Sequence, residues 1–324
     1  MDYLFLAIGL SLLLLGANYL VDSSVAIAKR ANISNFIIGL TIVCMGTSSP
    51  ELFVSISSAL KGEGDIAMGN VIGSNIGNIF LILGVSAAIM PFAIERQTQR
   101  RDIPFGIFAA FMLLLLCNDA IVPGIHENTL SRIDGIFFLI LFIGYMGYVV
   151  FGKAKNPQQA LADADDDAKS SLEGKNVILL AVIAVVSLAA LIYGGNMFLD
   201  SAKNLAKTWG MSDAVISITI VAIGTSLPEL ITAIVAACKH NPQLALGNVL
   251  GSNVFNILLV LGIASTVKPL TLVNINIIDY LVVLVAAVMT YIVAFTFKKR
   301  TFDRIEGFIF IACYIAYTAY LLLR

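Results

Sequence analysis

The chain has 324 residues, 59% of them apolar and only 13% charged, with a formal net charge of −1. Soluble domains carry about 25% charged residues, so a water-facing fold of this size is excluded, and no basic stripe suggests a nucleic-acid partner. Apolar stretches of about 20 residues recur along the whole length, which reads as an all-α polytopic membrane protein in a lipid bilayer rather than an anchored soluble domain.

Charged residues, prolines and glycine-rich breaks bound ten expected spans, taken in order as 3–28, 34–60, 65–90, 104–121, 131–152, 175–206, 212–238, 243–266, 274–297 and 302–323. The first lacks a basic flank and a cleavage motif and stays apolar beyond residue 20, so it reads as a retained helix and not a signal peptide. The long polar stretch from Lys153 to Lys175 contains Asp163, Asp165, Asp166 and Asp167. It lacks the glycine turn and terminal glutamate of a helix–loop–helix Ca2+ site, so a solvated linker is expected. Cys44, Cys117, Cys238 and Cys313 lie in apolar segments with no short spacing, which indicates neither a disulfide framework nor a zinc site.

An internal repeat organises the chain. A shift of 178 residues lays Gly16, Asn18, Asp22 and Ser23 on Gly194, Asn196, Asp200 and Ser201. The same shift lays GTSSPE at 46–51 on GTSLPE at 224–229, and GNVIGSNIGN at 69–78 on GNVLGSNVFN at 247–256. The expected divisions are a first five-helix repeat over 1–152, a cytoplasmic linker over 153–174, and a second repeat over 175–324. Five spans is an odd number, so the second copy enters the membrane inverted. The connections after odd-numbered spans hold fourteen Lys and Arg residues against six on the other side, which puts both termini outside.

Two motifs carry chemistry. In GTSSPE, Gly46 is permissive and Pro50 lacks an N–H, so the second span should break there. A break frees carbonyls near Cys44 and Thr47, adds the hydroxyls of Thr47 and Ser48, and puts Glu51 in the first turn of the second half-helix. The seventh span repeats this with Ala222, Thr225, Ser226, Pro228 and Glu229. A carboxylate at membrane depth is costly unless paired, protonated or bound to a cation. One such motif is readily a proline kink with a hydrogen-bonded carboxyl; two symmetry-related copies favour a hard-cation site of oxygen ligands. In the second motif Ser74 and Asn78 share one helix face, as do Ser252 and Asn256. These four are expected ligands, with Asn70, Asn75, Asn248 and Asn253 mainly structural. Gly69, Gly73 and Gly77 form a small-residue stripe for close helix approach, kept in the second copy as Gly247 and Gly251 but with Phe255 third. Asp22 and Asp200 read as solvated, and Asp134 and Glu306 as local charge partners of Arg132 and Arg304.

At these paired motifs the sequence resembles the α-repeats of the cation/Ca2+ exchanger superfamily, nearest its prokaryotic Na+/Ca2+ exchanger branch. The resemblance spans the whole chain. It implies a non-enzymatic antiporter of the cell's inner membrane, with no cofactor and with Na+ and Ca2+ as partners. It implies that Glu51 and Glu229 bind both ions, helped by Thr47, Ser48, Ser74, Asn78, Thr225, Ser226, Ser252 and Asn256 and by the carbonyls of Cys44 and Ala222. Some members have aspartate at the Asn256 position, associated with K+ in the K+-dependent branch; asparagine implies K+-independent transport. The family's usual exchange of three Na+ for one Ca2+ would be electrogenic. The alternative is an antiporter of H+ against Ca2+ or another divalent ion, although that branch has glutamate after its GN motif where this chain has Ser74 and Asn78. No feature demands an oligomer, and a monomer is the expectation.

Overall fold

The apolar segments fold as helices, and a computed structural model describes them over residues 2–118, 128–152, 170–211, 224–296 and 300–323. In chain order they are α1 (Asp2–Ala31), α2 (Asn35–Thr47), α3 (Ser49–Lys61), α4 (Gly64–Ile89), α5 (Ile103–Leu116) and α6 (Arg132–Gly152). They continue with α7 (Val177–Thr208), α8 (Leu227–Cys238), α9 (Pro242–Val267), α10 (Ile277–Val293) and α11 (Arg304–Leu323). The helix starts have local causes. Ser34 opens α2 by accepting from Ile37 N, Asn176 opens α7, and Asn276 with Asp279 forms a capping box on α10. The α3 helix stops at Gly62, whose φ of 84° is the left-handed conformation glycine adopts freely.

Among the described residues six helices (α1, α4, α6, α7, α9 and α11) are long and apolar enough to cross a bilayer, and α2 with α3, bent by 45°, makes a seventh candidate. The expected ninth span is shorter than the sequence suggests, and the fourth is displaced toward its start. The fourth is α5 together with a π-helical turn over Thr98–Asp102 that runs into it, ending where Cys117 leaves helical geometry, and the ninth is the 17-residue α10. The expected seventh span, 212–238, is described only from residue 224, and the Asp163–Asp167 cluster lies outside the described residues.

The outer faces of the long helices carry Ile133, Ile143, Ile178, Val185, Tyr193 and Ile315, each more than 60% exposed. Such a surface is stable against lipid and not against water. Polar residues point inward instead. At the centre, α9 is buried along its entire first half from Pro242 to Val254. It packs against α2, α4 and α8, with α5, α6, α10 and α11 on the flanks. The α2–α9 crossing is a close one: a Cβ on Gly39 or Gly247 would strike the backbone of the other helix. Helices α1 and α7 pack mainly on each other and touch the core chiefly through α8 and α2.

Two short antiparallel ribbons, absent from the all-α expectation, clip the halves together. β1 (Phe92–Ala93) pairs with β4 (Thr301–Phe302), and β2 (Asn128–Leu130) pairs with β3 (Leu270–Leu272), with Phe92 opposite Phe302 and Thr129 opposite Thr271. Each joins one strand from the first half of the chain to one from the second.

The expected charge partnership of Asp134 and Glu306 is corrected. Asp134 Oδ2 accepts from Ser131 N and Oγ, and Glu306 accepts from Asp303 N and Thr296 Oγ1. Both carboxylates cap helix starts, where free N–H groups outcompete a flexible arginine.

Candidate cation site

Glu51 and Glu229 stand in the first turns of α3 and α8, each following a proline in the first turn, and are 0% and 1% exposed. The chain breaks in the same way before both. Ser48 has φ −86° and ψ 9°, and Ser226 has φ −86° and ψ 8°. Proline explains the position of the break, since Pro50 and Pro228 cannot donate to a preceding turn. The break does not bare the Cys44 carbonyl, as the sequence suggests it should. Cys44 O accepts from Ser48 N at 2.9 Å and from Thr47 Oγ1 at 3.4 Å.

Hydroxyls from each repeat serve the glutamate of the other. Ser48 Oγ donates to Glu229 Oε1 at 2.8 Å and lies 2.9 Å from Ser252 Oγ. Thr47 lies beside Glu229, and Thr225 beside Glu51. Ser74 Oγ, on the facing α4, donates to Glu51 Oε1 at 3.4 Å. Among the described residues Ser226 makes no bond to Glu51 of the kind Ser48 makes to Glu229; it lines a small gap with Gly73, Gly77 and Tyr314. Ala222 lies outside the described residues.

The two amide ligands are held in a crossed arrangement. Asn78 Nδ2 donates to Asn253 Oδ1 at 3.0 Å, and Asn256 Nδ2 donates to Asn75 Oδ1 at 3.4 Å. Their NH2 groups are thereby taken up, and Asn78 Oδ1 and Asn256 Oδ1 are left buried without a donor. Glu51 Oε2 and Glu229 Oε2 are in the same condition. Four buried acceptors with no protein hydrogen to accept, two of them on carboxylates, call for a cation, protons or ordered water among them. Among the described residues no lysine or arginine pairs with either glutamate, and no cluster of three His, Cys, Asp or Glu is present. The donor set is therefore hard oxygen throughout, which suits Ca2+ and Na+.

The position of the asparagines depends on a feature the sequence did not disclose. At Gly77–Leu83 of α4 and at Phe255–Val260 of α9 the backbone widens into π-helical turns, and Asn78 and Asn256 are each the second residue of theirs. Such turns are common at functional sites because they re-aim a side chain within a helix. Asn70 and Asn248, by contrast, brace the broken helices. Asn70 Nδ2 donates to Glu51 O and to Ser55 Oγ, and Asn248 Oδ1 accepts from Thr47 Oγ1.

A cavity of about 730 Å3 reaches the site from one end, lined by Ser74, Thr225 and Pro228 in its depth and by Asp200 and Lys203 at its mouth. Gly69 and Gly73 line it as well. The small-residue stripe thus has two uses. Gly247 and Gly251 permit helix contact, while among the described residues a Cβ on Gly73 would meet nothing within 4 Å.

Asp22 corrects another expectation. It is 4% exposed, and its Oδ1 lies 2.6 Å from Lys239 Nζ, whereas the Asp200 side chain is 73% exposed as expected.

A bundle of lipid-facing helices around buried carboxylates and uncharged oxygens, open to one end, defines a polytopic membrane protein of the ion-carrying class. Comparison with known proteins places it further: residues 1–151 and 179–323 match the family described as sodium/calcium exchanger protein, and the chain belongs to that family. The sodium/calcium exchanger MaX1 of Methanosarcina acetivorans is 31% identical over 98% of this chain and 97% of its own. The inner membrane protein YrbG of Escherichia coli is 34% identical over 82% and 79%. The solved sodium-calcium exchanger NCX_Mj, soaked with Na+ and Ca2+, superposes with a TM-score of 0.81 at 32% identity, covering 98% of this chain and 97% of that one.

Proposed function

We propose that the protein is a secondary antiporter that exchanges Na+ for Ca2+ by alternating access, with Glu51 and Glu229 as the charged centre of one shared site. The observation that carries this reading is the set of four donor-less buried oxygens on Glu51, Glu229, Asn78 and Asn256. Ca2+ takes about six to eight oxygens. Those four, with the hydroxyls of Thr47, Ser48, Ser74, Thr225, Ser226 and Ser252, supply enough for one. The Cys44 carbonyl would join by its second lone pair, displacing the Thr47 hydroxyl, and Ala222 would be its counterpart.

Two carboxylates balance one Ca2+. Three Na+ in their place leave one excess positive charge, so exchange of three for one moves net charge. Neutral Asn256 leaves no third carboxylate for K+, and transport is K+-independent. The ten-span inverted-repeat arrangement is supported by the equal breaks at Ser48 and Ser226 and the paired π turns. With both termini outside, the cavity mouth at Asp200 and Lys203 faces outward. The unit of function is a monomer in the inner membrane.

The test uses proteoliposomes with a Na+ gradient and clamped pH. Ca2+ uptake should follow the Na+ gradient and ignore an imposed pH gradient. Uptake that follows pH and ignores Na+ would establish the H+-coupled alternative instead.

A further inference from the structure

Just past the end of α8, Lys239 Nζ reaches the interior of α1 and donates to Asp22 Oδ1 at 2.6 Å and to the Asn18 carbonyl at 3.1 Å. Ser171 Oγ donates to Asp22 Oδ2 at 2.6 Å, and Ser170 Oγ to the Asp22 carbonyl at 2.8 Å. The contact fastens α1 to the helix that carries Glu229. The repeat offset of 178 residues takes Asn18, Asp22 and Lys239 to Asn196, Asp200 and Lys61. The duplication therefore builds the same trio at the opposite end, between α7 and the helix that carries Glu51.

At that end the trio is apart. Asn196 and Asp200 line the open cavity; among the described residues Asp200 meets only Lys203, at 3.4 Å, and the exposed Lys61 has no ion pair. The same residues are thus closed at one end of the molecule and open at the end through which the site is reached.

We propose that the two trios are alternating latches: Asp22–Lys239 holds one side shut, and Asp200–Lys61, with the Asn196 carbonyl as second acceptor, shuts the other when the first parts. The inference rests on the alternating-access reading but not on which ions are carried. Parting one pair returns both charges to water while the other pair is withdrawn, so the two costs offset and the exchange stays reversible. The first latch has extra fastenings from the segment between the halves: Ser170, Ser171, and Glu173, which pairs with Lys29 of α1. They bias the protein toward the state seen here.

The experiment places a reporter, Ile192→Cys, in the cavity wall of full-length protein in membrane vesicles, with Cys238→Ser to remove the exposed native thiol. A membrane-impermeant thiol reagent is applied from the cavity side. Asp22→Asn should slow labelling roughly tenfold, as a coupling of ordinary size shifts the population toward the other state. Lys61→Gln should leave labelling as fast or faster, and both should slow exchange. The double exchange Asp22→Lys with Lys239→Asp should restore labelling, which a merely misfolded protein would not do. The proposal is overturned if both single variants shift labelling in the same direction. It is equally overturned if neither shifts it while a switch between Na+ and Ca2+ still does. If that ion switch also changes nothing, the alternating-access reading fails and the latches with it.

Discussion

Glu51 and Glu229 are fully buried in a lipid-embedded bundle with one oxygen each left unsatisfied. Each is at once the group most costly to the fold and the one most necessary to a cation. Their location was legible, because proline after a glycine-bearing polar run marks a break wherever it falls. The polarity of the amide ligands was not legible. Asn78 and Asn256 take their orientation from Asn253 and Asn75, which lie 175 and 181 residues away in sequence. Asn75→Leu should release the Asn256 amide and strand its buried NH2, costing about 1–3 kcal/mol. Half-maximal uptake should then need roughly tenfold more Ca2+, read from the concentration dependence of initial rates. Asn256→Asp should be tolerated by the fold, because among the described residues Asn75 Nδ2 has no partner and can turn to donate. Thermal unfolding in detergent should move by only a few degrees, since the hydrogen bond is reversed and not lost. Asp22 was misread for the reason the asparagines were: its partner Lys239 comes from the other half of the chain.

At the scale of elements, the long apolar helices and the broken pair α2–α3 follow from composition and from proline. The displaced start of α5, the shorter α10 and the two clipping ribbons do not. A 17-residue helix flanked by apolar loop residues has the hydropathy of a longer one, and strands of two or three residues leave no period to read. The π turns at Gly77–Leu83 and Phe255–Val260 are equally silent, because they arise from packing and carry no residue signature. The glycine stripes yield a contrast that tests the packing. Gly247→Ala would drive a methyl into the Phe36 carbonyl of α2 and should destabilise the core by about 1–3 kcal/mol, seen as a lowered unfolding temperature. Gly73→Ala meets open space among the described residues and should leave the unfolding temperature unchanged.

For the whole molecule, the structure is a duplication whose halves have the same parts in unequal states. The breaks at Ser48 and Ser226 match within a degree in ψ, yet Ser48 engages Glu229 while Ser226 stands off Glu51. The proposed alternating-access cycle predicts such an inequality, with the two halves exchanging arrangements in the other state. Under the proposed exchange of three Na+ for one Ca2+, a potential that is negative inside should slow Na+-driven Ca2+ entry into Na+-loaded vesicles. An effect of about 2.3 kcal/mol per 100 mV applies for each charge carried across the full field. Replacing K+ with choline should change nothing. The most direct measurement of the central claim is uptake of radiolabelled Ca2+ into Na+-loaded proteoliposomes containing the native protein, Glu51→Gln or Glu229→Gln. Robust uptake by the native protein that collapses with the Na+ gradient, and background uptake by both variants, is the predicted result; normal uptake by either variant would contradict a site shared between the two glutamates.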